Sequence, residues 1–230
     1  LLSNLFVQIG IWVRNFAILL FVVDMTGSDP FAVSMISVAE FAPIFIFSFI
    51  GGTFADRWPP KRTMIWCEVL SALSVFAVLG ALVFAGWKAV FFVTLVSAVL
   101  SQFSQPSGLK LFKMHLPLEQ IQMGMSVYQT MFAVFMVFGP MLGTLVYQRL
   151  GIYVAIGVMG VAFLLSAAAL CFLPPDHEGE KRTGPSTLRQ EMASGIRYVL
   201  GNRILILLSV TFLTAGLALG LTQPLGIFLV

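Results

Sequence analysis

The sequence predicts an all-α integral membrane protein, a six-helix transmembrane bundle followed by the start of a seventh helix. Three observations carry the prediction. Hydrophobic residues make up 59% of the chain, charged residues 10%, and the mean hydropathy is +0.97, whereas a soluble domain carries about 25% charged residues. Apolar stretches long enough to cross hydrocarbon, about 20 residues each, recur between short breaks. The basic residues gather in every second break.

The stretches run over residues 1–23, 31–55, 63–85, 89–112, 121–148 and 152–173, and a seventh begins at Ile204. Each is closed by residues that stop a helix: Thr26-Gly27-Ser28-Asp29-Pro30, then Trp58-Pro59-Pro60, Gly86-Trp87-Lys88, Leu116-Pro117 and Leu150-Gly151. Breaks this short make consecutive helices antiparallel neighbours. The second break with its flanks holds Arg57, Lys61 and Arg62, the fourth Lys110 and Lys113, and the sixth Lys181, Arg182, Arg189, Arg197 and Arg203. The odd breaks hold only Lys88 and Arg149. By the positive-inside rule the even breaks are cytosolic, and the chain begins on the cytosolic side of a cell membrane. The net charge of +3 is therefore a topology signal, and nucleic acid is not expected as a partner.

Residues 174–203 differ in composition, with Pro174-Pro175 and a charged run first and a weakly amphipathic stretch from Thr187 to Leu200 after it. Leu188, Met192, Ile196 and Val199 share a helical face, which suits a helix lying on the membrane surface with Arg189 and Arg197 near headgroups. The expected organisation is a six-helix bundle over 1–173, a cytosolic linker over 174–203, and the first helix of a second bundle over 204–230. Six helices, a long link and a seventh are the layout of a transporter built from two six-helix halves, twelve helices in all. The chain opens without an initiator Met, a basic segment or a cleavage site, so no signal peptide is expected and the true N-terminus is expected upstream. Cys67 and Cys171 both lie in apolar runs and imply no disulfide framework. His115 and His177 lack companions at ligand spacing, so no metal site is expected. No phosphate loop, nucleophile elbow or zinc-protease motif occurs, and neither a cofactor nor an enzymatic activity is expected.

The segment from Gly51 to Arg62 combines small residues, an acid, prolines and cations. Asp56, just before the third helix, can favour the positive end of that helix and pair with neighbouring cations. Gly52-x-x-Ala55-Asp56-Arg57 followed by Lys61-Arg62 resembles the signature loop of the major facilitator superfamily, at the place where that family carries it. Pro59-Pro60 replaces the family's Gly-Arg. The resemblance implies a conformational-switch loop made of Gly52, Ala55, Asp56, Arg57, Lys61 and Arg62. In the fifth stretch, Gly139-Pro140-Met141-Leu142-Gly143-Thr144 resembles the Gly-Pro-x-x-Gly-Gly motif of the family's exporters and antiporters, with Thr144 in place of the last glycine. Pro140 removes a backbone donor and bends the helix, while Gly139 and Gly143 admit a close neighbour. The fourth stretch lacks the buried arginine common in proton-coupled members.

Polar groups inside the stretches mark candidate sites. Gln122, Ser126, Gln129, Ala133, Met136, Pro140, Gly143 and Tyr147 form one stripe that suits either helix packing or a cavity wall. Ser97, Ser101, Gln102, Ser104, Gln105 and Gly108 concentrate polarity in the fourth stretch. Arg14 and Glu40 lie near mid-depth, where a lone charge costs roughly 2.5 to 3.5 kcal/mol, so they are expected to pair, as a structural bridge or as part of a cavity that couples protons. Glu68, near the cytosolic side, is expected to pair with Arg57, Lys61 or Lys113. Asp24 borders the outer break and could gate access. Together these features imply secondary active transport, with protons and a small apolar or amphipathic solute as partners in a lipid membrane and a proton-coupled drug exporter as the leading reading. The alternatives are an importer of a sugar, peptide or siderophore, and a non-transporting scaffold. Oligomeric state is left open.

Overall fold

A computed structural model describes residues 2–85, 87–115, 117–174 and 188–222. The chain divides into two compact units, Leu1–Gly179 and Glu180–Val230. The first contains α1 (Leu2–Thr26), α2 (Pro30–Arg57), α3 (Pro60–Ala85), α4 (Trp87–His115) and α5 (Leu118–Cys171).

Local chemistry sets the helix ends. Gly27 and Ser28 take φ of 63° and 64°, and the Ser28 amide returns to the Val23 carbonyl at 2.8 Å. This left-handed cap closes α1. At the next residue, the Asp29 carboxylate accepts from the Phe31 amide at 3.1 Å and Pro30 occupies the first helical position, where its missing donor costs nothing. The expected Pro59-Pro60 stop is real, but the signature segment is mostly not a loop. Residues Gly51 to Arg57 are the last two turns of α2, and only Trp58 and Pro59 separate it from α3.

The fifth and sixth stretches form one element of 54 residues. A straight helix of that length would measure about 80 Å, against about 30 Å of hydrocarbon. Gly151, with φ 77° and ψ 175°, breaks it into two arms. The expected turn is thus a single glycine in a backbone region that only glycine enters readily.

The second arm, residues 152–171, lies antiparallel to α1 and α3, and the first arm, residues 118–150, runs alongside α1. α1, α3 and the second arm of α5 supply most of the core, where Val13, Ala17 and Ile18 meet Val75, Ile156 and Met159, and Ala32 and Ile36 of α2 and Val90 and Val93 of α4 complete it. α2 and α3 each pack on α4. In lipid, burying apolar surface gives helices no drive to associate, so close packing at small residues must supply it. Gly10 faces Phe163, Gly160 faces Phe76, and Gly108 faces the Met64 side chain. Outward-facing residues such as Phe31, Trp66, Phe92, Met123 and Val137 are more than half exposed. Such a surface suits hydrocarbon and not water.

The second unit holds α6 (Leu188–Gly201) and α7 (Arg203–Thr222). Asn202 separates them, its side-chain oxygen accepting from the Ile204 amide at 3.0 Å, and the two axes meet at 101°. The break and the apolar character of α7 follow the sequence reading. Residues 175–187 and 223–230, including His177, Lys181 and Arg182, lie outside the described residues, as do the side chains of Arg189, Met192 and Ile196.

Candidate functional site

Arg14 is buried in α1 with 3% of its surface exposed. A guanidinium there must find acceptors from its own bundle. Its Nη1 donates to Ser97 Oγ of α4 at 2.7 Å and its Nε donates to Asn15 Oδ1 at 3.0 Å. The Asn15 amide then donates through Nδ2 to Oε1 of Glu40 on α2. Asn15 thus bridges Arg14 to Glu40, and the bonds running outward from the arginine link three helices, reaching α4 through Ser97 and α2 through Asn15. An amide suits that post because it accepts at one end and donates at the other.

Asn15 is the residue that sequence reasoning missed. Its signal was a carboxamide within an apolar stretch, beside a charge, but adjacent positions on a helix point about 100° apart. Gln102 and Gln129, candidates for the same cavity, do not join the network. The Gln102 amide turns back to the Ala98 carbonyl of its own helix at 3.3 Å, and Gln129 is exposed on the first arm of α5 with no hydrogen bond among the described residues. The other members of that stripe from Gln122 to Met136 are exposed as well, whereas Gly139 and Gly143 are buried.

The two glycines of the α5 motif lie close against α1. A β-carbon at Gly139 would lie 2.3 Å from the Trp12 ring, and one at Gly143 would lie 2.6 Å from Phe16 Cβ and 2.8 Å from the Trp12 carbonyl. Pro140 sits between them inside the helix. One turn further, the Tyr147 hydroxyl donates to Asp24 Oδ2 at 2.7 Å, so Asp24 joins α1 to α5 at the end opposite the basic residues.

At the basic end, the Ala55 carbonyl in the last turns of α2 accepts from Lys110 Nζ of α4 at 2.9 Å. Lys61 Nζ of α3 donates to the Cys171 and Leu173 carbonyls where α5 ends, at 3.2 and 2.5 Å. Cations placed on the unpaired carbonyls of helix C-termini are favourable. Arg62 is exposed, Arg57 has a partner of its own, and the side chain of Asp56 lies outside the described residues. A β-carbon at Gly52 would meet no atom within 4 Å, whereas one at Gly51 would fall 2.1 Å from the Gln102 carbonyl, so Gly51 is the glycine that lets α2 approach α4. One expectation needs correction. Glu68 accepts from Ser104 Oγ at 3.0 Å, and no basic side chain reaches it among the described residues. It faces α4 inside the bundle and not the basic end. Likewise, no cluster of His, Cys, Asp and Glu suited to a metal occurs among the described residues.

Comparison with known proteins adds the family. The family model described as Major Facilitator Superfamily matches residues 1–230. Among curated proteins, the uncharacterized MFS-type transporter YkuC of Bacillus subtilis (strain 168) is 25% identical over 221 residues, covering 93% of this chain and 51% of that protein. YfiS, a second uncharacterized MFS-type transporter of the same organism, is 26% identical over 80% of this chain and 44% of its own. The multidrug efflux pump Tap of Mycolicibacterium fortuitum is 28% identical over 83% of this chain and 48% of its own. The chain thus spans about half the length of the curated relatives it matches. No solved structure matches it.

Proposed function

From the premise that this chain belongs to the major facilitator superfamily, as an all-α membrane bundle of that two-bundle transporter fold, we propose that it forms the first half of a proton-coupled exporter of hydrophobic or amphipathic drugs. In this reading residues 1–173 are the first bundle, 174–203 the cytosolic linker and 204–230 the opening of the second bundle, with the N-terminus in the cytosol and the protein in the cell membrane. The basic residues of the even breaks support that sidedness. The similarity to a multidrug efflux pump and the Gly139-Pro140-x-x-Gly143 contact with α1 support export.

The observation that carries the proposal is the chain of bonds from Arg14 through Asn15 to Glu40. Glu40 is the group that takes up and releases the proton. While ionised, it holds α2 to α1 through Asn15. Protonation takes away the charged acceptor, weakens a charge-assisted bond and frees α2 to move relative to α1 and α4. Alternating access needs such a change at mid-membrane.

The test is drug efflux from cells and proteoliposomes under an imposed proton gradient, with the protein expressed from its complete gene. Gradient-driven efflux in the wild type, lost in Glu40→Gln at equal membrane abundance, is expected. Wild-type protein that moves no drug under any gradient sinks the exporter reading, and efflux that persists in Glu40→Gln removes Glu40 from the coupling.

A further inference from the structure

The network around Arg14 leaves a second buried carboxylate unused. Glu68 of α3 is 3% exposed, and its one hydrogen bond among the described residues comes from the neutral Ser104 hydroxyl of α4. Beside it lies a cavity of about 20 Å³, enough for a single water molecule. Val7 and Ile11 of α1 and Phe163 of α5 form its apolar wall. Ser71 and Ser101 line the polar side. The Ser71 hydroxyl belongs to a residue only 4% exposed, and it has no hydrogen-bond partner among the described residues.

An ionised carboxylate withdrawn from water needs a cation or several donors. Here α1 and α5 offer only hydrocarbon, and α4 offers Leu100, hydroxyls and the neutral Gln105. The other titratable group on the cavity is the Cys67 thiol of α3 itself. No positive charge faces Glu68 from any packed helix among the described residues. A proton on the carboxyl resolves that mismatch, and the cavity has room for the water that would deliver it.

The same face of α4 reaches back to the first network. Ser97 accepts from Arg14, the Ser101 hydroxyl donates to the Ser97 carbonyl at 2.9 Å, and Ser104 donates to Glu68. Spacings of four and three keep these serines on one side of the helix, and the seven helical steps from Ser97 to Ser104 cover about 10 Å. We propose that Glu68 is a second proton-binding site, held inside the bundle by Ser104 and a cavity water, and joined to the Arg14, Asn15 and Glu40 network by the serine face of α4. The step is one proton passing from water to a carboxylate oxygen and back to water. Its part in transport rests on the proton-coupled reading above, but the binding of the proton does not.

Infrared difference spectroscopy of the protein, expressed from its complete gene and titrated with acid, tests the site. The wild type is expected to show the C=O stretch of a protonated carboxyl that is absent in Glu68→Gln and present in Glu40→Gln. Ser104→Ala keeps the carboxyl and is expected to move that band in frequency, which preserves the test should Glu68→Gln fail to accumulate. Identical bands in Glu68→Gln and wild type overturn the proposal, as does an unmoved band in Ser104→Ala. Proton-driven efflux with no band assigned to Glu68 sinks this site alone. A Glu68 band in a protein whose efflux ignores the proton gradient upholds the site and sinks the transport reading.

Discussion

Gly143→Ala puts the close contact of α1 with α5 to the test. The new methyl group would stand 2.6 Å from Phe16 Cβ and 2.8 Å from the Trp12 carbonyl oxygen, short of ordinary contact at 3.4 Å by about 0.8 and 0.6 Å. The carbonyl belongs to the α1 backbone, so no rotamer change relieves the clash and α1 must retreat from α5. Overpacking of this kind costs about 1–3 kcal/mol. Alanine also gains about 0.5–1 kcal/mol over glycine inside a helix, which would mask part of the loss. Gly157, in the second arm of the same helix, has no atom within 4 Å of its would-be β-carbon, so Gly157→Ala carries the gain without the clash. The difference between the two variants isolates the overpacking. Gly139→Ala should fall between them, since the atoms it meets belong to the Trp12 indole, a side chain able to swing although it stacks on Phe16 at 5.8 Å. Equilibrium unfolding of the three variants in one detergent measures the order. Equal stability of Gly143→Ala and Gly157→Ala would refute the claim that α1 and α5 are held at glycine distance.

Three further outcomes are expected. Gly51→Ala should separate α2 from α4 and lower stability by about 1–3 kcal/mol, while Gly52→Ala should be neutral or slightly stabilising; the reverse order in unfolding experiments would return the close contact to Gly52. Asn15→Leu should uncouple Arg14 from Glu40 and abolish gradient-driven efflux, as is expected of Glu40→Gln, whereas Asn15→Gln, with the same amide on a longer stem, should retain part of it. Tyr147→Phe keeps the ring against the core and removes the bond to Asp24, so amides near the end of α1 should exchange faster with deuterium while overall stability moves by no more than about 1.5 kcal/mol.

Most of the helix plan was legible because it depends on local chemistry. The turn at Gly27 and Ser28, the Asp29-Pro30 start of α2 and the Trp58-Pro59 stop are set by residues within a few positions of one another. Gly139 and Gly143 were readable as contact points because hydrocarbon gives few other reasons to place two glycines four residues apart. Partners across the bundle were harder to read. Depth alone brought Arg14 and Glu40 to one level but could not place Asn15 between them. Depth also assigned Glu68 to the lysines and arginines at the basic end, whereas the rotation of α3 turns it toward Ser104. The choice between Gly51 and Gly52 is likewise a matter of rotation, since neighbouring residues on α2 face different helices. The family resemblance names Gly52 for the loop and says nothing of which glycine touches α4, which the packing assigns to Gly51.

Lys61 sits one residue after the proline that opens α3, yet its ammonium clasps the carbonyls at the far end of α5, more than a hundred positions along the chain. The short corner between α2 and α3 and the point where the polypeptide leaves the bundle are thereby harnessed to each other. A shift of the Leu173 carbonyl would therefore pass through the Lys61 ammonium to that corner, and a shift of the corner would pass back the same way.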